Sequence, residues 1–580
     1  MMNEHRYRWR NRQLREHVAV LDGHRTPTIV LTNATYLNVF LRKWMTGHIW
    51  IYGDRIVYVG DELPKYKETI EYVDCSDQYL VPGYIEPHAH PFQLYNPHTL
   101  AQYASQSGTT TTINDNLVLL FLLHNKKAFS LMEELNELPV SLLWWSRFDS
   151  QSMLQDEDQL LDDRKVQEWI EHDAVVQGGE LTCWPSVLQD DDHVLHWMQK
   201  TKRSRKPVEG HFPGASERTL MKMKLLGTDG DHEAMRGEEV WNRLKMGYSV
   251  TLRYSSIRPD LPQLIQDMNR LNIHHYERIM LTTDGSTPAF YEHGMINRCI
   301  EICIDNGIPA MEAFCMASYN VARHYGMEHR LGSIGPGRVA HINFLSEKDN
   351  PTPISVLAKG KWVKRNGIVE SIFRQVDWSS YEMGPLHLDW ELTDDDWQFS
   401  TPVGLEMVND VILKPYQVNI DVGTNDICAG NEAFLMLVDR DGQWKVTSIL
   451  KGFTKTLGGL VSSYSNTMDI LLIGKRKQDM KLAFKRMKEI GGGLVLANEG
   501  KIVFELPLSV AGMMTDIPME FLIAKVKEYN EIVKAHGFTF DDPVYTLLFL
   551  SSTHLPFIRI TPKGIIDVKK KDVLFPAIMR

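Results

Sequence analysis

The stretch LVPGYIEPHAH, Leu80–His90, decides the fold, because an apolar run ends there in two histidines one residue apart. Side chains alternate between the two faces of a strand, so His88 and His90 share a face if the run is extended. That geometry suits chelation of a metal ion at a strand end. A lone pair of this kind also occurs as two ordinary surface or hydrogen-bonded histidines, so the other ligands must come from elsewhere.

Further strand signals follow this stretch, and helix-period segments such as Gly294–Asn306 and Pro309–Tyr325 lie between or after them. The predicted strands are Tyr79–Ile85, Thr109–Asp115, Val140–Trp145, Ala174–Glu180, Pro207–His211, Leu225–His232, Gly247–Tyr254 and Arg278–Asp284. Eight strands that alternate with helices over about 250 residues predict an α/β fold, a (β/α)8 barrel. Such barrels carry their chemistry at the carboxyl ends of the strands.

Four more candidate ligands stand at the ends of predicted strands: Glu180, His211, His232 and Asp284. With the two strand-one histidines they supply imidazole and carboxylate groups for two divalent ions such as Zn, Mn or Fe. We expect Glu180 to bridge the ions, Asp284 and the strand-one histidines to complete one, and the other two histidines to hold the second. Taken singly, a histidine in such a position is more often a surface residue, and a carboxylate is more often a turn or helix-cap residue.

Composition excludes several classes of protein. The chain is 43% hydrophobic and 24% charged with a net charge of −11, which argues against nucleic acid as the main partner. No run of 18 apolar residues occurs, so we expect no membrane span. Five arginines among the first 17 residues precede no apolar segment, which indicates a basic arm rather than a secretory signal. Six scattered cysteines without a Cys-x-x-Cys fit reduced thiols in the cytoplasm.

A chain of 580 residues is too long for one core, and its composition shifts along its length. We expect an N-terminal arm at 1–26, a β patch at 27–79, the barrel at 80–331 and a second β patch at 332–375. The acidic stretch 376–399 reads as a linker. Strands and helices then alternate in a C-terminal α+β domain at 400–580.

The order of short phrases along the chain resembles the adenine deaminase family of the metal-dependent amidohydrolase superfamily. The phrases are VPGYIEPHAH, GTTTT, GGE, GHFPGAS, DHE, LTTDG, SYNVARHYG and GSIGPGRVAHI, followed in the last domain by SILKGFTKTLGGLVSS, ILLIGKRKQDMKLAFKRMKEIGGGLVL and LPLSVAGMMTD. In that family a glutamate takes the bridging place that a carboxylated lysine fills in urease-like relatives, and Glu180 is so placed. The resemblance also implies that the two β patches pair into one composite β domain beside the barrel.

The resemblance implies hydrolysis of adenine to hypoxanthine and ammonia with two divalent ions per subunit, which we take to be manganese, in a cytoplasmic homodimer. It gives Asp284 the proton relay and lets His232 polarise the purine. Glu233 is a second proton carrier or, alternatively, an acid in the first turn of a helix. Arg253 holds an edge of the substrate or forms a structural ion pair.

Three phrases depart from the family. Its Asp-Pro-His-Glu after strand two appears as NDNLV, which keeps Asp115 and replaces the rest with 116–118. Its Arg-Glu-Gly-Ser appears as RYSS, with Tyr254 in place of the acid, and its His-Asp-Ser-His-Asn appears as SNTMD, Ser465–Asp469. These changes leave open a related enzyme that acts on another amino-heterocycle or a cyclic amide. A catalytically inactive binding protein is a further alternative.

Overall fold

A computed structural model describes residues 10–65, 69–400, 402–427 and 430–580 of the chain. Its N-terminal part is the helix Asn11–Leu21, so the predicted arm is helical from that point, and residues 1–9 of the arm lie outside the described residues. Among the described residues, no helix has the length and apolar character needed to cross a bilayer. The five described cysteines carry free thiols, and Cys428 lies outside the described residues.

Eight parallel strands form the centre of the molecule and confirm the predicted barrel. They are Tyr84–Ala89, Thr109–Asp115, Ser141–Ser146, Val175–Leu181, Val208–Gly210, Gly230–Asp231, Ser249–Arg253 and Ile279–Thr282. Each strand pairs with the next one along the chain. The first and last strands are tied by Glu86, whose carboxylate accepts hydrogen bonds from the hydroxyls of Thr282 (2.5 Å) and Thr283 (2.7 Å). One buried cluster joins Ile85 of strand one to Met280 of strand eight across the barrel.

Two predicted strands are wrong in their bounds. Tyr79–Ile85 is broken at Gly83: Tyr79–Pro82 belongs to another sheet, and the first barrel strand starts only at Tyr84. The predicted strand Leu225–His232 begins inside the helix Glu217–Leu226 and shrinks to Gly230–Asp231. That helix ends at Gly227, whose φ of 112° is left-handed, a conformation that glycine adopts without strain.

Helices surround the barrel. They are Pro97–Gln106, Leu117–Leu122, Asn125–Leu135, Glu157–Leu160, Asp163–Glu171, Trp184–Val187, Asp192–Arg203, Glu217–Leu226, Gly237–Lys245, Leu261–Arg270, Ile296–Asp305, Ala310–Met316 and Tyr319–His324, with the 3-10 helix Pro288–His293. The predicted helix Pro309–Tyr325 is therefore two helices. Several starts are capped as the sequence suggests; Asp191, for example, accepts hydrogen bonds from the backbone N–H groups of His193 and Val194.

The two β patches pair in one sheet of nine strands. The strands are Ile29–Asn38, Lys43–Tyr52, Arg55–Gly60, Glu71–Asp74, Tyr79–Pro82, Ile342–Leu345, Ser355–Ala358, Lys361–Arg365 and Ile368–Val369. The seam lies between Tyr79–Pro82 and Ile342–Leu345, which run antiparallel. The chain thus leaves this sheet, builds the barrel and returns to the same sheet.

The C-terminal part contains a second sheet of nine strands and a separate sheet of three. The strands are Val403–Met407, Leu413–Gln417, Glu432–Val438, Trp444–Lys451, Gly459–Ser462, Ile470–Gly474, Gly493–Asn498, Lys501–Pro507 and Ile578–Met579, then Ile558–Thr561, Gly564–Asp567 and Asp572–Pro576. The helices are Lys477–Glu489, Met519–Ala535 and Pro543–Phe549. This mixture of strands and helices is the predicted α+β composition.

The acidic stretch predicted to be a linker contains the 3-10 helices Trp378–Tyr381 and Asp394–Trp397. Its Trp390 packs against the buried cluster of the C-terminal sheet, and the N–H of Leu386 donates to the carbonyl of Gly491 at 2.8 Å. The part from Leu386 onward is therefore attached to the C-terminal sheet, whereas the hydroxyl of Tyr381 donates to Glu134 of a barrel helix at 2.6 Å. The limits of the domains themselves stay a prediction.

The C-terminal part also covers the mouth of the barrel. Met514–Thr515 pairs in parallel with Leu94–Tyr95, directly after the first barrel strand. The hydroxyl of Ser152 donates to the carbonyl of Ser551 at 2.7 Å, and the N–H of Thr553 donates to the carbonyl of Gln151 at 2.9 Å. Residues near 550 consequently lie beside the loop that follows the third barrel strand.

Candidate metal centre

The six predicted ligands all lie at the carboxyl end of the barrel. They are His88 and His90 at the end of strand one, Glu180 in strand four, His211 and His232 directly after strands five and six, and Asp284 two residues after strand eight. Three overlapping sets have one ligand atom per residue, all within 4.8 Å of one another: His88, His90 and Glu180; His88, His232 and Asp284; and Glu180, His211 and His232. The structure thus brings together all six residues that the sequence predicted to be metal ligands.

Glu180 lies between two groups of side chains. Its Oε1 is 2.7 Å from Nδ1 of His211 and 3.4 Å from Nε2 of His232. Its Oε2 faces the other way, 3.9 Å from Nε2 of His88. The two oxygens of one carboxylate are therefore directed at different sets of histidines, which is the arrangement a bridging ligand requires.

Asp284 closes the second group. Its Oδ1 is 3.5 Å from Nε2 of His88 and 3.4 Å from Nε2 of His90. Ligand atoms that share an ion with bonds of about 2.0–2.2 Å lie roughly 3–3.5 Å apart, so these spacings suit a common ion. The Nε2 of His88 is also buried with no hydrogen-bond partner among the described residues, as expected of a nitrogen reserved for a cation. The donor set therefore fits divalent metals that accept imidazole and carboxylate.

The centre is open on one side. The side chains of His90, His211 and Asp284 are 12%, 14% and 12% exposed, whereas that of Glu180 is 4% exposed. His88 and His232 are as deeply buried as Glu180. A small molecule that approaches from this side meets the three partly exposed ligands first.

Protonation differs between the two strand-one histidines. Burial, with the neighbouring His232, holds the pKa of His88 well below its ordinary value, so the ring is neutral as a metal ligand must be. Burial acts in the same direction on His90, but Asp115 and Asp284 outweigh it and raise its pKa to about 9. Binding of a cation at His90 therefore has to displace a proton.

An ion-pair network that the sequence did not predict supports the ligands. The Nδ1 of His90 is 2.9 Å from Oδ2 of Asp115, and Asp115 accepts from Nε of Arg147 at 2.9 Å. Arg147 also donates to Oε2 of Glu180 at 2.8 Å. Burial opposes ionisation of Asp115, yet Arg147 lowers its pKa to about 2. One arginine thus orients both the bridging carboxylate and the partner of a candidate ligand.

Further buried groups fix the histidine rings. The ring of Trp145 stacks on His88 with centroids 4.5 Å apart. The backbone N–H of His88 donates to Glu86 at 3.0 Å, and Oε1 of Glu209 is 3.5 Å from Nδ1 of His232. Burial raises the pKa of both Glu86 and Glu209 to about 7.

Glu233 and Arg253 lie beside the centre and are paired with each other. The Nη1 of Arg253 donates to Oε1 of Glu233 at 2.6 Å and to Oδ2 of Asp284. Arg258 holds the second oxygen of Glu233 at 2.7 Å. The next helix starts only at Gly237, so Glu233 is not an acid of its first turn. Arg253 is buried and its Nη1 is paired with two carboxylates, which is the structural ion pair that the sequence offered as the alternative.

Asp284 is held in an unusual backbone conformation. Its φ of 50° is left-handed, and its N–H donates to the hydroxyl oxygen of Thr282 at 2.9 Å. The hydroxyl of Tyr545 in the C-terminal part donates to the carbonyls of Asp284 (3.2 Å) and Gly285 (2.8 Å). Non-glycine residues with such φ values persist only where neighbours determine them, as these contacts do here.

Two of the three departing phrases contact loops beside the centre. Asn116 accepts from the N–H of Arg147 at 3.1 Å, and the amide of Asn466 donates to the carbonyl of Gln151 at 3.4 Å. Tyr254 packs against Phe290 with ring centroids 5.1 Å apart. Asn116 and Asn466 thus contact the surroundings of the centre, and none of the altered residues belongs to the candidate ligand sets.

Sequence reasoning missed Arg147, Glu86, Glu209 and His554. Arg147 directly follows the third barrel strand, so the same strand-end criterion that selected the histidines could have selected it. His554 reaches the centre from the other end of the chain, with its ring 5.5 Å from that of His211. No local pattern in the sequence indicates that contact.

Two family models match this chain. The Amidohydrolase family model matches residues 79–363, and the Adenine deaminase C-terminal domain model matches 410–572. A Bacillus cereus protein described as "Putative adenine deaminase" is 53% identical over 100% of this chain and 98% of its own. An Oceanobacillus iheyensis protein with the same description is 52% identical over 99% of both chains. The solved β-aspartyl dipeptidase of Fervidobacterium islandicum AW-1 matches 60% of this chain and 100% of its own, with 14% identity and a TM-score of 0.46.

Proposed function

Because the chain belongs to the adenine deaminase family, we propose that it hydrolyses adenine to hypoxanthine and ammonia at a two-metal centre. The observation that carries the proposal is the position of Glu180, whose two oxygens face separate groups of histidines. The ligands proposed for the ions are His88, His90, Glu180, His211, His232 and Asp284. We take manganese as the native metal, although iron and zinc accept the same donors.

Two divalent cations, when bound, supply Lewis acidity and lower the pKa of water toward about 7. The protein groups then have to move protons and hold the purine. In the overall reaction water adds to C6, the amino group leaves as ammonia, and the oxygen remains on the ring. One proton is therefore transferred from the attacking water to the departing nitrogen.

We assign this proton transfer to Asp284. It lies on the open side of the centre, and its Oδ1 is within 3.5 Å of two candidate ligands. Burial opposes its ionisation, but Arg253 and the nearby histidines hold its pKa well below the ordinary value, so it is an ionised carboxylate at neutral pH, the form in which a proton can be accepted. The same oxygen can then return the proton to the leaving amino nitrogen.

Two neighbours complete the assignment. His232, held between Glu180 and Glu209, polarises a ring nitrogen or the tetrahedral carbon. Burial opposes ionisation of Glu233, yet Arg253 and other cations lower its pKa to about 2, so it is ionised at neutral pH. We assign it as the second proton carrier. Arg253 acts as a positioning residue, because its contacts are with these two carboxylates.

The decisive experiment measures ammonia release from adenine by protein loaded separately with Mn, Fe and Zn. A panel of other purines, pterins and cyclic ureides is run beside it under the same conditions. We expect adenine to be turned over by at least one metal form. Turnover of a panel member without turnover of adenine would replace adenine by that compound.

The related-enzyme alternative has one observation in its favour. The family positions after strand two are occupied here by Asn116 and the apolar Leu117 and Val118, in which Asn116 is bound to the backbone of Arg147. These residues lie beside the centre and would change what a substrate meets there. The same panel separates this alternative from adenine.

The inactive-protein alternative is tested by metal analysis of protein purified without chelator. We expect close to two ions per chain, and near-zero metal in a normally folded protein would support loss of catalysis. We further propose a cytoplasmic homodimer that binds no nucleic acid. Free thiols at the five described cysteines support the reducing compartment, and light scattering after size-exclusion chromatography tests the dimer.

A further inference from the structure

A cavity of about 590 Å³ lies at the amino-terminal end of the barrel strands, on the side opposite the metal centre. Asp229 before strand six, Ser249 at the start of strand seven and Arg278 before strand eight line it. Strand seven runs from Ser249 at this cavity to Arg253 at the centre, a separation of roughly 13 Å at about 3.3 Å per residue. The cavity is therefore distinct from the metal centre.

Basic side chains dominate the lining. The cationic residues are Lys202, Arg205, Lys206, Lys224, Arg278 and Arg323, whereas the carboxylates are Asp229 and Glu277. This excess of positive charge occurs in a chain whose net charge is −11. Clefts lined by one sign of charge concentrate ions of the opposite sign, so the cavity favours anions.

Two of these cations are not matched by a carboxylate in the part of the chain that the structure describes. The Nζ of Lys224 donates to the carbonyls of Thr228 (3.1 Å) and Gly247 (3.2 Å), and Arg278 donates to the carbonyl of Gly247 at 3.3 Å. By contrast, Lys202 pairs with Asp229 at 2.6 Å. Lys224 and Arg278 thus retain charge that an incoming anion can neutralise.

His324 provides an independent indication of a ligand. Its Nδ1 is 2.9 Å from the hydroxyl of Ser249, whereas its Nε2 is buried without a hydrogen-bond partner among the described residues. When the serine hydroxyl donates to Nδ1, the neutral ring carries its proton on Nε2. Leaving a buried hydrogen-bond donor without an acceptor costs about 1–3 kcal/mol, and an acceptor bound in the cavity would remove that cost.

We propose that this cavity binds a small phosphate-bearing anion, held by Lys224 and Arg278 and by a hydrogen bond from Nε2 of His324. Phosphate oxygens suit this lining, because they accept several charge-assisted hydrogen bonds at once. The volume lies in the range of about 300–1,000 Å³ that is typical of small-molecule sites. Inorganic phosphate and the phosphate group of a nucleotide present the same chemistry to it.

Calorimetric titration of the metal-loaded full chain tests the proposal. Inorganic phosphate, AMP and adenosine are titrated in chloride buffer at pH 7.5 and constant ionic strength. We expect saturable binding of phosphate or AMP that persists in the presence of excess adenosine. Binding of both supports a site for the phosphate group alone, and binding of AMP only supports a nucleotide site. Absence of saturable binding for both would overturn the proposal.

Variants place the binding in this cavity. The double substitution Lys224→Met and Arg278→Met should weaken binding at least tenfold, whereas His88→Ala, which disrupts the metal centre, should leave it unchanged. Lys245→Met with Lys481→Met removes the same charge at two exposed helical sites and serves as the control. Binding equal to wild type in the double variant would refute the assignment. If that variant fails to fold, His324→Asn decides the question, since it should still weaken binding severalfold.

Discussion

Replacing Asp115 with asparagine isolates the contribution of the ion-pair network to the metal centre. The substitution keeps the size of the side chain and removes its charge. Asp115 holds Nδ1 of His90 at 2.9 Å and pairs with Arg147, and neither the arginine nor the aspartate side chain is exposed. Asparagine can still accept one hydrogen bond, but His90 loses its charged partner and Arg147 keeps only Glu180.

The two contacts of Asp115 predict two effects, one on metal affinity and one on folding free energy. Loss of an outer partner of a metal-bound histidine typically weakens metal affinity 10–100-fold, which corresponds to about 1.4–2.8 kcal/mol. Breaking a buried ion pair costs about 3–5 kcal/mol of folding free energy. Arg147 retains its contact with Glu180, so we expect the lower end of that range, about 3 kcal/mol. The metal-free protein should therefore be destabilised at least as much as metal binding is weakened.

The assay has two parts. Metal content is measured by mass spectrometry after equilibration with a series of chelator concentrations, and stability of the metal-free protein is measured by denaturant unfolding. Asp163→Asn is the matched control, because Asp163 also contacts a histidine, His193, at 2.8 Å but on the surface. Exposed pairs contribute about 0–1 kcal/mol, so this variant should match wild type. Wild-type metal affinity in Asp115→Asn would refute the supporting role of the network.

Three further outcomes follow from the contacts of Asp284, His88 and His324. Asp284→Asn should lower kcat for ammonia release by about 10²–10⁴-fold and, because Arg253 then keeps only Glu233, should also lower the melting temperature; an unchanged kcat would show that the proton relay is misassigned. His88→Ala should reduce the metal bound per chain in mass spectrometry, and unchanged stoichiometry would exclude it as a ligand. Burial, together with nearby cations, lowers the pKa of His324 from 6.5 to about 4, so the unfolded chain binds this proton before the folded chain does. Stability should therefore fall by at most about 3 kcal/mol as the pH drops from 6.5 to 4, and His324→Asn should lessen the fall in the melting temperature; a pH profile identical to wild type would contradict this.

The barrel was predictable because the spacing of apolar residues and the turn residues between them are local properties of the chain. The predicted strand boundaries were wrong where pairing with a strand distant in sequence determines them. Gly83 separates two strands of different sheets, and a Cβ at this position would meet Oγ1 of Thr110 at 2.1 Å. The strand before it pairs with Ile342–Leu345, which no window around residue 80 contains.

The candidate ligands were predictable because the barrel fold brings strand ends together, so residue type and position were sufficient. The supporting network was not, since it depends on how buried charges are paired. The sequence distinguishes Asp115 only as the retained residue of a family phrase, because its contacts with His90 and Arg147 exist only in the folded protein. The roles of Tyr545 and His554 were even less predictable from the sequence, because these residues belong to the C-terminal part and contact a site that the first half of the chain forms.

The return of the chain to its first sheet affects its synthesis. Tyr79–Pro82 pairs with Ile29–Asn38 on one side and with Ile342–Leu345 on the other. A ribosome adds about 5–20 residues per second, so the later partner emerges on the order of ten seconds or more after the earlier one. Through that interval the apolar strand has a bare edge, and such edges recruit other chains. Nascent chains that stall within the barrel are consequently the ones most exposed to aggregation, and emergence of residue 345 ends that exposure.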